Sequence, residues 1–275
     1  MDLILSSTIK SLLQKYSAAP QKRFGQNFLI NRGVLQKIIE AADLSRKDVV
    51  LEIGPGLGTL THELASRAKK IIAVEKDRKF VAILKETLKE HRNVEIIHAD
   101  ILSFKPKAIN YKLIANLPYN ITSPVIRKFL EENDRPKEII LMVQKEVAQR
   151  ICAQPPDMSL LAVSVQFYAE PKILSYVSKG SFWPPPKVDS AILEITPKKE
   201  LPDIDAKLFF KIVHAGFSAP RKQLAGNLSK NLKIERNIIE DRLKKAGINP
   251  RQRAETLNIE DWTQLTSQLA MSFNP

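Results

Sequence analysis

From residue 49 onward the apolar positions gather in short β-branched runs: VVLEIG (49–54), IIAVEK (71–76), VEIIHAD (94–100), KLIANL (112–117) and EIILMVQ (138–144). Each reads as a buried strand. The stretches between them carry apolar residues at helical spacing, as Phe80, Ile83, Leu84 and Leu88 do in DRKFVAILKETLKEH (77–91). This alternation predicts a doubly wound parallel sheet. Two later runs, SVQFYAE (164–170) and SAILEI (190–195), predict a final pair of strands. Between them, the three consecutive prolines of FWPPPKV (182–188) exclude helix and predict a stiff extended loop. After TPKKELPD (196–203) the strand signal stops. DAKLFFKIVHAGF, APRKQLAGNLSKNL, IERNIIEDRLKKAG and IEDWTQLTSQLA read as helices, some closed by a glycine. The predicted fold class is α/β, with a first domain over residues 1–200 and a small all-helical domain over 201–275.

No apolar run approaches the roughly 20 residues of a membrane helix. The start, MDLILSSTIKSLLQKYSAAP, has Asp2 in place of a basic leader region and Lys10 inside its apolar part. A cytoplasmic protein without membrane association is expected, and the apolar stripe of this leading segment is expected to pack against the domain. One cysteine, Cys152, excludes an intrachain disulfide, and the four histidines stand without ligand spacing, so no metal site is expected. The net charge is +13, with +4 on residues 201–275 and +9 on the rest. Spread in this way, the charge suits a folded face that meets a polyanion rather than a basic tail.

The first strand runs directly into Gly54, Gly56 and Gly58 and then a helix-compatible segment. Glycines there allow a tight turn and a close approach of ligand to peptide groups. Glu75 closes the second strand, where a carboxylate in this topology accepts hydrogen bonds from a ribose, and Asp100 closes the third. The glycine spacing is G-x-G-x-G, not the G-x-G-x-x-G of dinucleotide sites. It resembles the S-adenosylmethionine site of Rossmann-like methyltransferases, in which the acid after the third strand holds the adenine.

Asn116, Leu117, Pro118 and Tyr119 end the fourth strand and so face the reactive end of such a ligand. The Asn116 amide oxygen accepts a hydrogen bond but is no general base. Pro118 biases Leu117 toward an extended conformation that aims the Leu117 carbonyl as a second acceptor, and Tyr119 offers a flat face. Two acceptors beside an aromatic plane suit the exocyclic amino group of a flipped base. The plainer alternative is a strand-ending turn with its tyrosine in the core.

Nearly the whole chain resembles the ribosomal RNA adenine N6,N6-dimethyltransferases of bacterial type. The resemblance is carried by KRFGQNFL (22–29), EIGPGLGTLT, NLPYNI, FWPPPKVDSA (182–191), GFSAPRKQLAGNL and RAETL. It implies a Rossmann-like methyltransferase sheet with a C-terminal helical domain, and S-adenosylmethionine as cofactor. Asn27 and Leu29 would close over its methionine part, Gly54 would line it, Glu75 would bind the ribose, Asp100 and Ile101 the adenine, and Asn116 would border the methyl group. Phe182 would stack on the target adenine opposite Tyr119, unless it is a core aromatic; Trp183 is open to either reading. The implied substrate is a pair of adjacent adenosines near the 3′ end of small-subunit ribosomal RNA in an assembling subunit, met by a monomeric enzyme. Two rivals remain: a large-subunit methylase, whose relatives carry isoleucine where this chain has Leu117, and a non-catalytic assembly or transcription factor. The segments PPPKVDSA and RKQLAGNL favour the small-subunit group, and an intact Asn116–Tyr119 favours catalysis.

Overall fold

A computed structural model describes residues 1–21, 25–108 and 110–270. The strands are β1 (Phe28–Leu29), β2 (Val49–Ile53), β3 (Lys70–Glu75), β4 (Val94–His98), β5 (Tyr111–Asn116), β6 (Glu138–Gln144), β7 (Ala169–Val177), β8 (Phe182–Trp183) and β9 (Ser190–Pro197). The helices are α1 (Ser6–Lys15), α2 (Arg32–Ala42), α3 (Thr59–Ala65), α4 (Arg78–Thr87), α5 (Thr122–Glu131), α6 (Lys145–Ile151), α7 (Leu160–Gln166), α8 (Ala206–Gly216), α9 (Leu224–Leu232), α10 (Arg236–Lys245) and α11 (Ile259–Ala270).

Seven strands form one sheet in the order β4-β3-β2-β5-β6-β9-β7. β4 through β6 pair in parallel, and β9 runs antiparallel to β6. The chain builds outward from β2 to β4 and then returns to lay β5 on the other side of β2. The strand order therefore reverses between β2 and β5, and a crevice opens beyond their carboxyl ends. On one face Val50, Ile71, Ala73, Ile114, Ile140 and Ile192 pack against Val34, Leu35 and Ile38 of α2 and Leu60 and Leu64 of α3. α1 buries Ile9, Leu12 and Leu13 against Phe28, Leu57, Phe80 and Ile83, as its apolar stripe predicts. Lys15 secures it to Glu86 of α4 at 2.6 Å. The two-stranded pairing of β1 with β8 joins Phe28 to Trp183 and Leu29 to Phe182 in register.

The five parallel strands fall where the apolar runs predict them. SVQFYAE does not form the expected strand: residues through Gln166 finish α7, and β7 begins at Ala169. Ser159 caps that helix by accepting the Ala162 N–H at 3.1 Å. Ala162, Val163, Val165 and Gln166 are all buried, so burial on both sides hid the helical period behind two β-branched residues. The chain forms two compact units, residues 1–148 with 171–197, and residues 149–170 with 198–275. Residues 149–170, assigned to the first domain by sequence, group with the helices of the second. There Lys198 donates to the Gln166 carbonyl at 2.7 Å, and Phe167 packs against Phe209 with tilted rings and centroids 4.4 Å apart.

In the second unit α8 ends against α11 at Gly216, where an added Cβ would stand 2.4 Å from a ring carbon of the fully buried Trp262. Gly226, within α9, has no atom within 4 Å of such a Cβ. Gly216→Ala is therefore expected to destabilise the protein by about 1–3 kcal/mol through overpacking. Gly226→Ala is expected to be neutral or to stabilise by up to ~1 kcal/mol. Urea denaturation of the two variants beside the parent checks both.

Candidate active site

The loop after β2 turns through three glycines with φ in the left-handed region, +63° at Gly54, +59° at Gly56 and +89° at Gly58. Only glycine adopts these angles readily. At Gly58 a side chain would in addition press on Leu84, Thr87 and Leu88, with the closest atoms at 3.2 Å. The loop thus brings bare backbone to a cavity at the crevice. That cavity is lined by Asn27, Leu29, Gly54, Glu75, Asp100, Ile101 and Asn116. These are all of the positions at which a cofactor contact is expected from the sequence.

Glu75 lies at the end of β3 and is 6 % exposed. One carboxylate oxygen accepts the Gly56 N–H at 3.3 Å and the other the Asp77 N–H at 2.9 Å. Burial raises its pKa above the ordinary carboxylate value, while these backbone donors oppose the rise by favouring the charged form. Asp100 is exposed to a greater degree and is held below the usual carboxylate range, chiefly by Lys76, whose ammonium lies 2.6 Å away. Its other oxygen accepts the Leu102 N–H at 3.0 Å. The two acids therefore stand on adjacent strand ends, one desolvated and one ion-paired. Lys76 escaped the sequence reading although it directly follows Glu75.

The Asn116 side chain donates through Nδ2 to the Asn27 carbonyl at 3.1 Å, which turns Oδ1 to the opposite side as an acceptor. Asn27 donates through its own Nδ2 to the Gly25 carbonyl at 3.1 Å. A Cβ on Gly25 would stand 3.0 Å from the Pro118 ring, so this segment packs directly on the tetrapeptide. Of the KRFGQNFL motif, Lys22, Arg23 and Phe24 lie outside the described residues. Pro118 takes φ −55° and ψ 128° and opens a 3-10 turn over Tyr119–Ile121. Its carbonyl accepts the Ile121 N–H at 3.1 Å, while the Leu117 N–H bonds to the Met142 carbonyl at 3.2 Å. Leu117 is itself buried, so its contribution to any ligand is through the backbone.

Tyr119 is half-buried, with its hydroxyl 2.7 Å from Ser190 Oγ on β9. Burial raises its pKa, so it keeps its proton at neutral pH. The core-turn reading of this tyrosine is therefore only half right: the hydroxyl end is anchored and the ring remains partly open. Ser190 escaped the sequence reading as its anchor, since nothing in the pattern pairs positions 71 residues apart. Phe182 is not brought to the cavity. It is 2 % exposed and belongs to the core formed with Leu29, Val34 and Ile192, the alternative the sequence left open. Trp183, partly exposed, stacks on Phe28 with centroids 6.4 Å apart.

Among the described residues no group of histidine, cysteine or carboxylate side chains has metal-binding geometry, and no helix is long and apolar enough to cross a membrane.

The family model described as ribosomal RNA adenine dimethylase matches residues 18–271. A relative from Dehalococcoides mccartyi (strain CBDB1), named ribosomal RNA small subunit methyltransferase A, is 46% identical over 276 residues, covering 97% of this chain and 94% of its own. Among solved structures, a dimethyladenosine transferase from Plasmodium falciparum superposes with a TM-score of 0.80 at 29% identity, over 90% of this chain and 98% of its own. The 23S rRNA methyltransferase ErmE superposes with a TM-score of 0.73 at 29% identity, over 89% and 100%.

The Tyr119–Ser190 bond makes a stability prediction. Tyr119→Phe and Ser190→Ala are each expected to cost about 0.5–1.5 kcal/mol, and the double variant little more than either alone. A double-mutant cycle by chemical denaturation measures the coupling; additive losses would show that the two groups act independently.

Proposed function

Because the chain belongs to the ribosomal RNA adenine dimethylase family, we propose that it transfers methyl groups from S-adenosylmethionine to the exocyclic N6 of two adjacent adenosines near the 3′ end of small-subunit ribosomal RNA, giving N6,N6-dimethyladenosine. The observation that carries this reading is Asn116, tied by its amide nitrogen to Asn27 at the rim of the cavity, with its oxygen left as an acceptor. Relatedness over the whole chain to a small-subunit methyltransferase favours that substrate over the large subunit.

The residues present fit the cofactor. The glycine turn offers peptide groups without side chains, Glu75 offers a desolvated acceptor for a ribose diol, and Asp100 with Ile101 offers an acceptor beside an apolar wall. Asn27 and Leu29 close the cavity from the amino-terminal side. S-adenosylmethionine, when bound, supplies an electrophilic methyl group on a sulfonium. Asn116 Oδ1 and the Leu117 carbonyl accept the two N–H hydrogens of the adenine amino group, which draws its lone pair out of ring conjugation and directs it toward the cavity. Tyr119 stacks on the base and keeps its own proton. None of the four side chains is a competent base, so the proton leaves only after methylation has made the nitrogen acidic. The chemistry rests on placement, for which about 7–11 kcal/mol is available in the best cases. Phe182, closed in the core beside Leu29 and Ile192, supplies no stacking face in this arrangement.

The net charge of +13 suits the RNA of an assembling subunit as the binding partner, met by a monomer in the cytoplasm. The purified protein with S-adenosylmethionine is expected to dimethylate adenosines in undermodified small subunits. Mass spectrometry of the digested RNA reads this directly, and an RNA without dimethyladenosine would refute the proposal. Asn116→Ala is expected to lower turnover by roughly 10²–10³-fold, on the scale of removing one preorganised hydrogen-bonding group, while cofactor binding stays measurable. Retained turnover in that variant would exclude the acceptor mechanism.

A further inference from the structure

The end of β7 presents an aromatic ring to solvent. β7 is the outermost strand of the sheet. Side chains alternate along a strand, so Val177 enters the apolar layer under α2 while Tyr176 points away from that layer. Tyr176 is 53 % exposed, and among the described residues no other phenylalanine, tyrosine or tryptophan is exposed. Such a ring offers a flat apolar face to a ligand passing over it.

The position of Tyr176 ties it to the target end of the site. Lys145, which opens α6, holds its ammonium 5.0 Å from the centre of the Tyr176 ring, a cation–π contact that steadies the ring from one side. The Lys145 N–H donates to the Asp189 carbonyl at 3.0 Å, and the next residue, Ser190, anchors the Tyr119 hydroxyl. The Asp189 carboxylate accepts the Lys179 N–H at 3.0 Å, which draws the end of β7 to the start of β9. Tyr119 and Tyr176 are thus joined through the single junction at residues 189–190. Lys145, Lys179 and Lys187, on and beside this junction, are exposed, and among the described residues none of the three forms an ion pair. The acidic side chains next to them are Glu146 and Asp189, the latter engaged by the Lys179 backbone.

We propose that Tyr176 is a stacking platform for an unpaired nucleotide flanking the target adenosine, and that the Lys179 and Lys187 ammonium groups take its phosphates. The inference rests on reading the chain as a methyltransferase of ribosomal RNA. Recognition of RNA falls mainly on unpaired bases, which stack on aromatic side chains. A base drawn out of its stack for methylation leaves its neighbour without a stacking partner, and the ring across the junction replaces it. Exposed lysines, depleted in protein interfaces, favour RNA over a protein as the occupant.

Steady-state methylation of undermodified small subunits by the full chain tests the proposal. Tyr176→Ala is expected to raise KM for the subunit by about fivefold or more, the lower range for loss of one stacked base, with kcat unchanged. Tyr176→Phe and Tyr176→Trp, which keep a stacking face, are expected to match the parent. Tyr176→Leu keeps apolar area without an aromatic face and is expected to behave as the alanine variant does. Parent KM in Tyr176→Ala, or parent KM in Tyr176→Leu, would overturn the proposal; the second result would mark an apolar contact with a protein of the subunit. Either result leaves the methyltransferase reading intact. Should the parent methylate nothing, the same variants are read by the fluorescence of a single-stranded RNA carrying 2-aminopurine, which stacking quenches. Quenching by the parent that Tyr176→Leu loses would retain the platform and refute the methylation; no such difference would overturn both.

Discussion

The parallel pairing of β2 with β5 is the constraint on which the site depends. Its register, from Val49↔Tyr111 to Glu52↔Ile114, places the end of β2 beside the end of β5. Gly54 and Asn116 consequently leave neighbouring strands on the same edge of the sheet. A slip of one residue would turn every side chain of β5 to the opposite face and carry Asn116 away from the cavity. The register is protected by what lies on each side: Val50 and Ile114 belong to the apolar layer under α2 and α3, and Leu51 and Leu113 are fully buried on the other face. The packing of an ordinary core thus fixes the position of a polar end.

Around that end the polar groups are divided between holding and receiving. The nitrogen of Asn116 is committed to Asn27, the carbonyl of Pro118 to Ile121 and the hydroxyl of Tyr119 to Ser190. Each commitment leaves a defined remainder: an amide oxygen, an adjacent carbonyl and a ring face. Glu75 and Asp100 follow the same division, with backbone donors and Lys76 holding them in place. A site arranged in this way suits a reaction that needs geometry more than proton transfer.

Much of this was legible in the sequence. Four of the five parallel strands announce themselves as β-branched runs because both of their faces are covered, while β4, at the edge, is only partly buried; the glycines announce the loop because its φ angles are ones other residues adopt rarely. Glu75, Asp100 and Asn116 follow from their positions at strand ends. What was not legible depends on contacts between distant parts of the chain. SVQFYAE reads as a strand although its first three residues finish α7, a helix buried on both sides, and Ser190 has no local sign of its partnership with Tyr119. Phe182 beside three prolines suggests exposure, yet its pairing with Leu29 across β1 and β8 places it in the core.

The pairing of residue 28 with residue 183, and the bond from residue 119 to residue 190, also set an order in time. A nascent chain that has emerged only through β6 holds all five parallel strands and the glycine loop. It still lacks the partner of β1 and the anchor of Tyr119. Both arrive on the late segment 182–190, after α7 and β7 have passed. During synthesis the glycine loop, Glu75, Asp100 and Asn116 therefore precede the segment that secures β1 and Tyr119, and a chain ending before residue 182 lacks β8 and β9 together with both of those attachments.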